Sequence, residues 1–270
     1  MKGSSEYSKR LNRFLTPLRK NVRKSDLARQ TESDSEVIEE LVVAVLEENG
    51  AAAPARSAYR KIMASMVDFN DLRVTTPQDL ARSLDRSISN PTEKAQRLSM
   101  ILNHIFDKKN SLSLDSLRKD SRREARKFLN LLEGITPFVS ATVVQRSLGG
   151  HAIPVDEAVL GFLVDNELVP ENTSIEDVQS FLERHVVAAD VPLFLTEVRR
   201  QALAHYRRSR SAKPAPKTAA KSSKANRSAA KVKTATKKTA TRRVATKARA
   251  KSSGGTRTSR AGSRTPRRKK

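Results

Sequence analysis

The sequence predicts an all-α fold, and three observations carry that prediction. Between Ser35 and Tyr206 the apolar residues recur at the three-and-four spacing of amphipathic helices. Start and stop signals punctuate that pattern at short intervals. No stretch shows the period-two alternation and β-branched clustering of a convincing strand.

The elements follow in order. Ser35 precedes an apolar run from Val37 to Leu46 that Asn49 and Gly50 bring to a stop. Thr76 before Pro77 and Asn90 before Pro91 each place a capping residue ahead of a proline at the first helical position, where its missing N–H costs nothing. Ser121 with Glu124, and Ser174 with Asp177, have the spacing of a capping box. The expected helices are 36–48, 55–67, 77–86, 91–107, 121–132, 137–148, 157–166, 174–187 and 191–206.

Charge divides the chain into three parts. Residues 207–270 hold 24 of the 53 Lys and Arg and none of the 29 Asp and Glu. Residues 1–30 add nine bases against two acids, so residues 31–206 have 20 bases and 27 acids and are net acidic. We therefore expect a basic N-terminal segment, a helical domain over 31–206 and a polycationic tail over 207–270. In the first segment Leu11, Phe14, Leu15, Leu18 and Val22 fall at helical spacing, with Pro17 expected to interrupt the helix. That segment either docks its apolar stripe on the core or serves as a second basic arm for phosphate or an anionic surface.

From Arg207 onward the chain consists of Lys, Arg, Ala, Ser, Thr and Pro with few larger apolar residues, a composition that cannot repay the entropy of ordering. The tail is expected to be disordered and to bind polyphosphate by releasing counterions. Lys213, Lys217, Lys221, Lys224, Lys237, Lys238, Arg242, Arg243, Arg267, Arg268, Lys269 and Lys270 are its candidate contacts. In composition it resembles the tails of linker histones and bacterial histone-like proteins. DNA is the expected partner, and RNA fits the same polycation. The absence of cysteine removes disulfides, thiolate zinc sites, iron–sulfur clusters and cysteine nucleophiles, so no cofactor is expected. No run of 18 apolar residues and no secretory leader is present, which suggests an intracellular protein, cytoplasmic or nucleoid-associated, or nuclear in a eukaryote.

The most informative stretch runs from Leu132 through Glu133, Gly134, Ile135, Thr136, Pro137 and Phe138 to Ala141, followed by Ile153, Pro154, Val155 and Asp156. A helix ending near Leu132, a turn containing Gly134 and a new helix from Pro137 make a helix-hairpin-helix, whose turn residues Gly134, Ile135 and Thr136 can present N–H groups to a phosphate. This stretch resembles the hairpin of the helix-hairpin-helix DNA glycosylase superfamily, of which endonuclease III is a member. Leu41–Leu46 is similar to that family's first core helix, and Glu93–Leu98 to a second. The resemblance covers roughly residues 36–200 and implies two helical subdomains with a cleft between them.

On this alignment Phe138 stands where the family has its catalytic lysine, and Asp156, 18 residues on, stands where it has its aspartate. The resemblance then implies that Schiff-base lyase chemistry is lost, because Phe138 has no amine and no lysine lies between Lys127 and Lys213. Gly50 falls near the family's base-displacing glutamine, and the four-cysteine cluster has no ligands. Asp156 has two readings. It can stabilise an oxocarbenium-like transition state or activate water, or it can simply cap the helix that begins at Glu157. The histidines His104, His151, His185 and His205 show no metal-ligand spacing. Two functions stay open: DNA binding without catalysis, and a monofunctional glycosylase relying on Asp156.

Overall fold

The computed structural model describes residues 4–21 and 35–212, and among these there are helices, turns and loops but no strand. The N-terminal helix α1 (Ser4–Asn21) precedes the domain. The domain then runs through α2 (Val37–Glu47), α3 (Ala52–Met63), α4 (Phe69–Val74), α5 (Pro77–Ser83), α6 (Pro91–Lys109), α7 (Arg122–Asn130), α8 (Pro137–Ser147), α9 (Glu157–Asp165) and α10 (Ile175–His185). It ends in a single α turn (Val191–Leu193) and a wide π turn (Phe194–Val198), which lead into α11 (Arg199–Ala212).

Ten of the eleven residues of α2 are buried, which makes it the central helix of the fold rather than an amphipathic one on its surface. It packs on α3, α6 and α8. Around it lies a first hydrophobic core drawn from residues 37–152, including Leu41, Ile101, Leu129 and Phe138. A second core uses Ile153 to Ala202 together with Leu11 and Leu15 of α1, with Phe181 and Phe194 fully buried. The two cores are the two helical subdomains that the resemblance implies. The chain passes from one to the other between Ala152 and Ile153, three residues before Asp156.

Of the caps read from sequence, Thr76, Ser121 and Ser174 each accept from a backbone N–H in the first turn, and Ser121 with Glu124 forms the reciprocal capping box; Thr136, read only as a turn residue, caps α8 in the same way. Asn90 differs: it adopts φ 48° and makes no side-chain cap, leaving the start of α6 to Pro91. Helix α3 starts three residues before the expected 55, because Pro54 falls in its first turn, where proline is tolerated. Pro17 does not interrupt α1 but sits inside it. The cost of a helical proline, about 3 kcal/mol, is offset by anchors on either side: Leu11 and Leu15 are sealed in the second core, Arg10 bonds Glu167, and Arg19 bonds Asp190. Helix α11 extends to Ala212, six residues beyond Tyr206. The tail contacts from Lys213 to Lys270 lie outside the described residues. No described helix is long and apolar enough to cross a membrane.

The docking of α1 makes a direct prediction. Leu15 is 0% exposed, so Leu15→Ala should lower the unfolding free energy of the domain by about 2–5 kcal/mol in urea titrations. An unchanged midpoint would mean that α1 is not part of the cooperative unit.

Candidate functional site at the hairpin

Helices α7 and α8 form the hairpin, and its turn is fixed from below by α6. Gly134 has φ +86°, a conformation that glycine adopts without strain, and a Cβ there would meet the Arg97 carbonyl oxygen and Ile101 Cγ1 at 3.4 Å. The Arg97 Nε–H donates to the Gly134 carbonyl at 3.3 Å, and the Glu133 N–H donates to His104 Nδ1 at 2.8 Å. Ile135 N–H bonds Leu132 O at 3.2 Å, while the N–H groups of Gly134 and Thr136 take no acceptor among the described residues. Thr136 Oγ1 accepts from the Val139 N–H at 3.3 Å and opens α8 above Pro137.

Behind the turn, Phe138 is 1% exposed and belongs to the first core. The Arg199 guanidinium lies over its ring, 4.5 Å from the centroid. Asp156, also 1% exposed, is the N-cap of α9: its Oδ1 accepts from the Val159 N–H at 3.0 Å. Its Oδ2 accepts from the Asn49 N–H at 2.9 Å and from Arg199 Nη1 at 3.0 Å. Asn49 answers in kind, its Oδ1 accepting from the Ala158 N–H at 3.3 Å. Both oxygens of the candidate carboxylate are therefore engaged by donors of the fold, and capping is the role the geometry displays.

Arg199 is the residue that sequence reasoning missed. It follows the π turn directly and reaches across both subdomains, donating through Nη2 to the carbonyls of Glu47 and Gly50 at 3.2 and 3.0 Å. Its Nε lies 3.5 Å from Glu47 Oε1. Glu47 is in turn held bidentate by Arg146 at 2.6 and 3.0 Å, and Arg146 faces Glu40, which also pairs with Arg56 at 2.6 Å. The result is a chain of alternating charge that runs inward from the partly exposed Arg56 to the buried Asp156. Burial pushes the Glu47 carboxyl up, but the attraction of Arg146, Arg199 and Arg56 outweighs it and holds the group below its ordinary value. For Arg146 burial acts downward, and Glu47 and Glu40 more than reverse it.

Beside Phe138 a cavity of about 200 Å³ opens between the subdomains, lined by Glu48, Lys94, Arg97, Thr136, Val155 and Glu157 among others. Lys94 is its one amine among the described residues, and burial lowers its pKa to about 8. All three of its protons are used: Nζ donates to Leu46 O, Glu48 O and Ser89 Oγ at 2.8, 2.7 and 3.1 Å. It caps the end of α2. A loop role also suits His151, whose Nε2 lies 2.9 Å from Glu183 O. No group of three His, Cys, Asp or Glu among the described residues is placed to hold a metal. The four-cysteine cluster has no ligands, since the chain has no cysteine.

No protein-family model matches the chain, and no curated protein matches it in sequence. Solved structures do resemble it. A trapped endonuclease III–DNA covalent intermediate superposes with a TM-score of 0.50 at 16% identity, covering 80% of this chain and 92% of that one. The 3-methyladenine DNA glycosylase of H. pylori bound to 1,N6-ethenoadenine gives 0.49 at 16%, covering 75% and 98%. A thermostable thymine-DNA glycosylase gives 0.48 at 15%, covering 75% and 87%.

Glu47 sets a measurable pH dependence. Its proton is held more weakly in the fold than in the unfolded chain, so its stabilisation is complete above the unfolded carboxyl value of about 4.3 and is lost as pH falls through the lower native value. Glu47→Gln should therefore cost about 3–5 kcal/mol at pH 7, because two buried arginines lose a charge partner. The gap to the wild type should narrow below about pH 4. Denaturant titrations across pH 2–7 check this, and a gap that widens on acidification would contradict it.

Proposed function

We propose that this chain, whose fold is that of the helix-hairpin-helix DNA glycosylases, is a sequence-independent DNA-binding protein without base-excision or lyase activity. The observation that carries the proposal is Arg199 stacked on Phe138 and bonded to Asp156. At the hairpin position of the lyase amine stands an aromatic ring, and the carboxylate is spent on α9, Asn49 and Arg199. A flipped nucleotide would have to displace a buried arginine and leave Asp156 and Glu47 uncompensated, at a cost of several kcal/mol.

Binding is proposed to rest on two features. The N–H groups of Gly134 and Thr136, which take no acceptor among the described residues, suit a phosphate oxygen, as helix-terminal amides do. The polycationic segment from Lys213 to Lys270 supplies the counterion-release term, which does not depend on sequence. That the structural neighbours include glycosylases captured with DNA supports DNA as the partner. A monofunctional glycosylase is the second reading, favoured by the cavity beside Phe138, lined by both sequence neighbours of Asp156, Val155 and Glu157.

One assay separates the two. The full chain is incubated with duplexes carrying uracil, oxidised pyrimidines, alkylated purines, mismatched adenine or abasic sites, followed by alkali to reveal excised bases and by borohydride to trap adducts. The proposal expects duplex binding, no strand scission after alkali beyond that of protein-free controls, and no specific adduct. Excision abolished by Asp156→Asn, which keeps the cap, would establish the glycosylase reading instead.

A further inference from the structure

Helix α1 sorts its cations by direction. At 100° per residue, Leu11, Leu15 and Leu18 share one side of the helix, and Lys9, Arg13 and Lys20 fall together on the opposite side. Leu11 and Leu15 are sealed into the second core, with Tyr7, Phe14 and Leu18 packed against it. The two arginines on the flanks fold down onto acids: Arg10 to Glu6 at 2.7 Å and Glu167 at 3.2 Å, and Arg19 to Asp190 through Nε at 3.1 Å. Docking is complete with these groups. Lys9, Arg13 and Lys20 are exposed, and no carboxylate among the described residues pairs with them.

An outward cationic stripe adds repulsion along one helix face and gives the fold nothing in return. Its geometry suits a polyanion. Eleven residues of helix span about 16 Å, and B-DNA carries a phosphate charge about every 1.7 Å along its axis. The stripe also has a neighbour of like sign. The ring of Phe162 in α9 contacts both Phe14 of α1, at 5.9 Å between centroids, and His205 of α11, at 6.1 Å. Beyond His205, α11 carries the exposed Arg207, Arg208 and Arg210, with no acid paired to Arg207 or Arg208 among the described residues. Two basic helix faces thus hang on one aromatic anchor, on a domain whose own residues are net acidic.

We infer that the outward face of α1, formed by Lys9, Arg13 and Lys20, is a phosphate-backbone contact that seats duplex DNA against the folded domain. It acts in addition to the hairpin and the C-terminal segment. The inference rests on the DNA-binding reading above.

The test uses the full chain, with Lys9→Gln, Arg13→Gln and Lys20→Gln combined, and measures duplex affinity by fluorescence anisotropy from low to high salt. The control combines Arg86→Gln, Lys108→Gln and Lys119→Gln, an equal charge change at exposed positions of the first subdomain. Because none of the α1 substitutions touches the buried face, urea midpoints should match the wild type. The slope of log K against log salt should become shallower by about 2–3 for the α1 variant, at about 0.9 per phosphate contact, and by less than about 1 for the control. If the wild type does not bind duplex DNA, the DNA-binding reading fails and the inference with it. If the wild type binds and the α1 variant keeps its slope, or the control loses as much, the inference alone is overturned. Loss of binding to anionic vesicles with duplex binding unchanged would assign the stripe to a lipid surface and equally overturn it.

Discussion

Arg199 is the constraint on which the rest of the structure depends. Its guanidinium touches the Phe138 ring, the Asp156 carboxylate, the Glu47 carboxylate and two carbonyls at the end of α2, so one side chain joins the hairpin, the central helix and the second subdomain. Arginine suits this place because its planar fork stays charged and serves several acceptors at once. The chain of charge continues through Glu47, Arg146, Glu40 and Arg56, so no member is buried without a partner of opposite sign. Such a network is costly to desolvate and contributes little net stability, yet removing any one member exposes the cost of the others.

On the proposed function, the same network accounts for a base-excision fold without its chemistry. A catalytic carboxylate must face the reacting sugar, and a lyase amine must reach it. Here Arg199 stacks on Phe138 and bonds Asp156, and the only cavity amine among the described residues, Lys94, donates to Leu46 O, Glu48 O and Ser89 Oγ. In the hairpin turn Gly134 holds a left-handed conformation, and Arg97 and His104 fix the turn from behind. On the proposed function, the turn is the part that meets a phosphate backbone, and the contact of Arg199 with Phe138 and Asp156 is the part that keeps a sugar out.

Much of this was legible in the sequence because it is local. The caps at Thr76, Ser121 and Ser174, the prolines at helix starts, the Gly134 turn and the capping geometry of Asp156 are all set within a few residues. What escaped was short or distant. Helix α4 has six residues and one buried side chain, Leu72, too little for a periodic signal, although Asp68 caps it. Pro17 misled because tertiary anchors at Arg10, Leu15 and Arg19 override a local penalty. Arg199 lies 43 residues from Asp156 and far from Glu47, and nothing in its own neighbourhood marks it as buried. A hint did exist on the partner side: Glu40 and Glu47 are buried with the apolar residues of α2, whose third acid, Glu39, is not, and had to find cations in the core.

The most direct test of this account is a crystal structure of the full chain bound to a duplex containing a non-hydrolysable abasic-site analogue. The account predicts that Arg199 Nη1 stays within hydrogen-bonding distance of Asp156 Oδ2, that Phe138 stays covered, and that the DNA contacts the hairpin turn with every base stacked. An extrahelical nucleotide seated against Asp156, with Arg199 swung away, would contradict it.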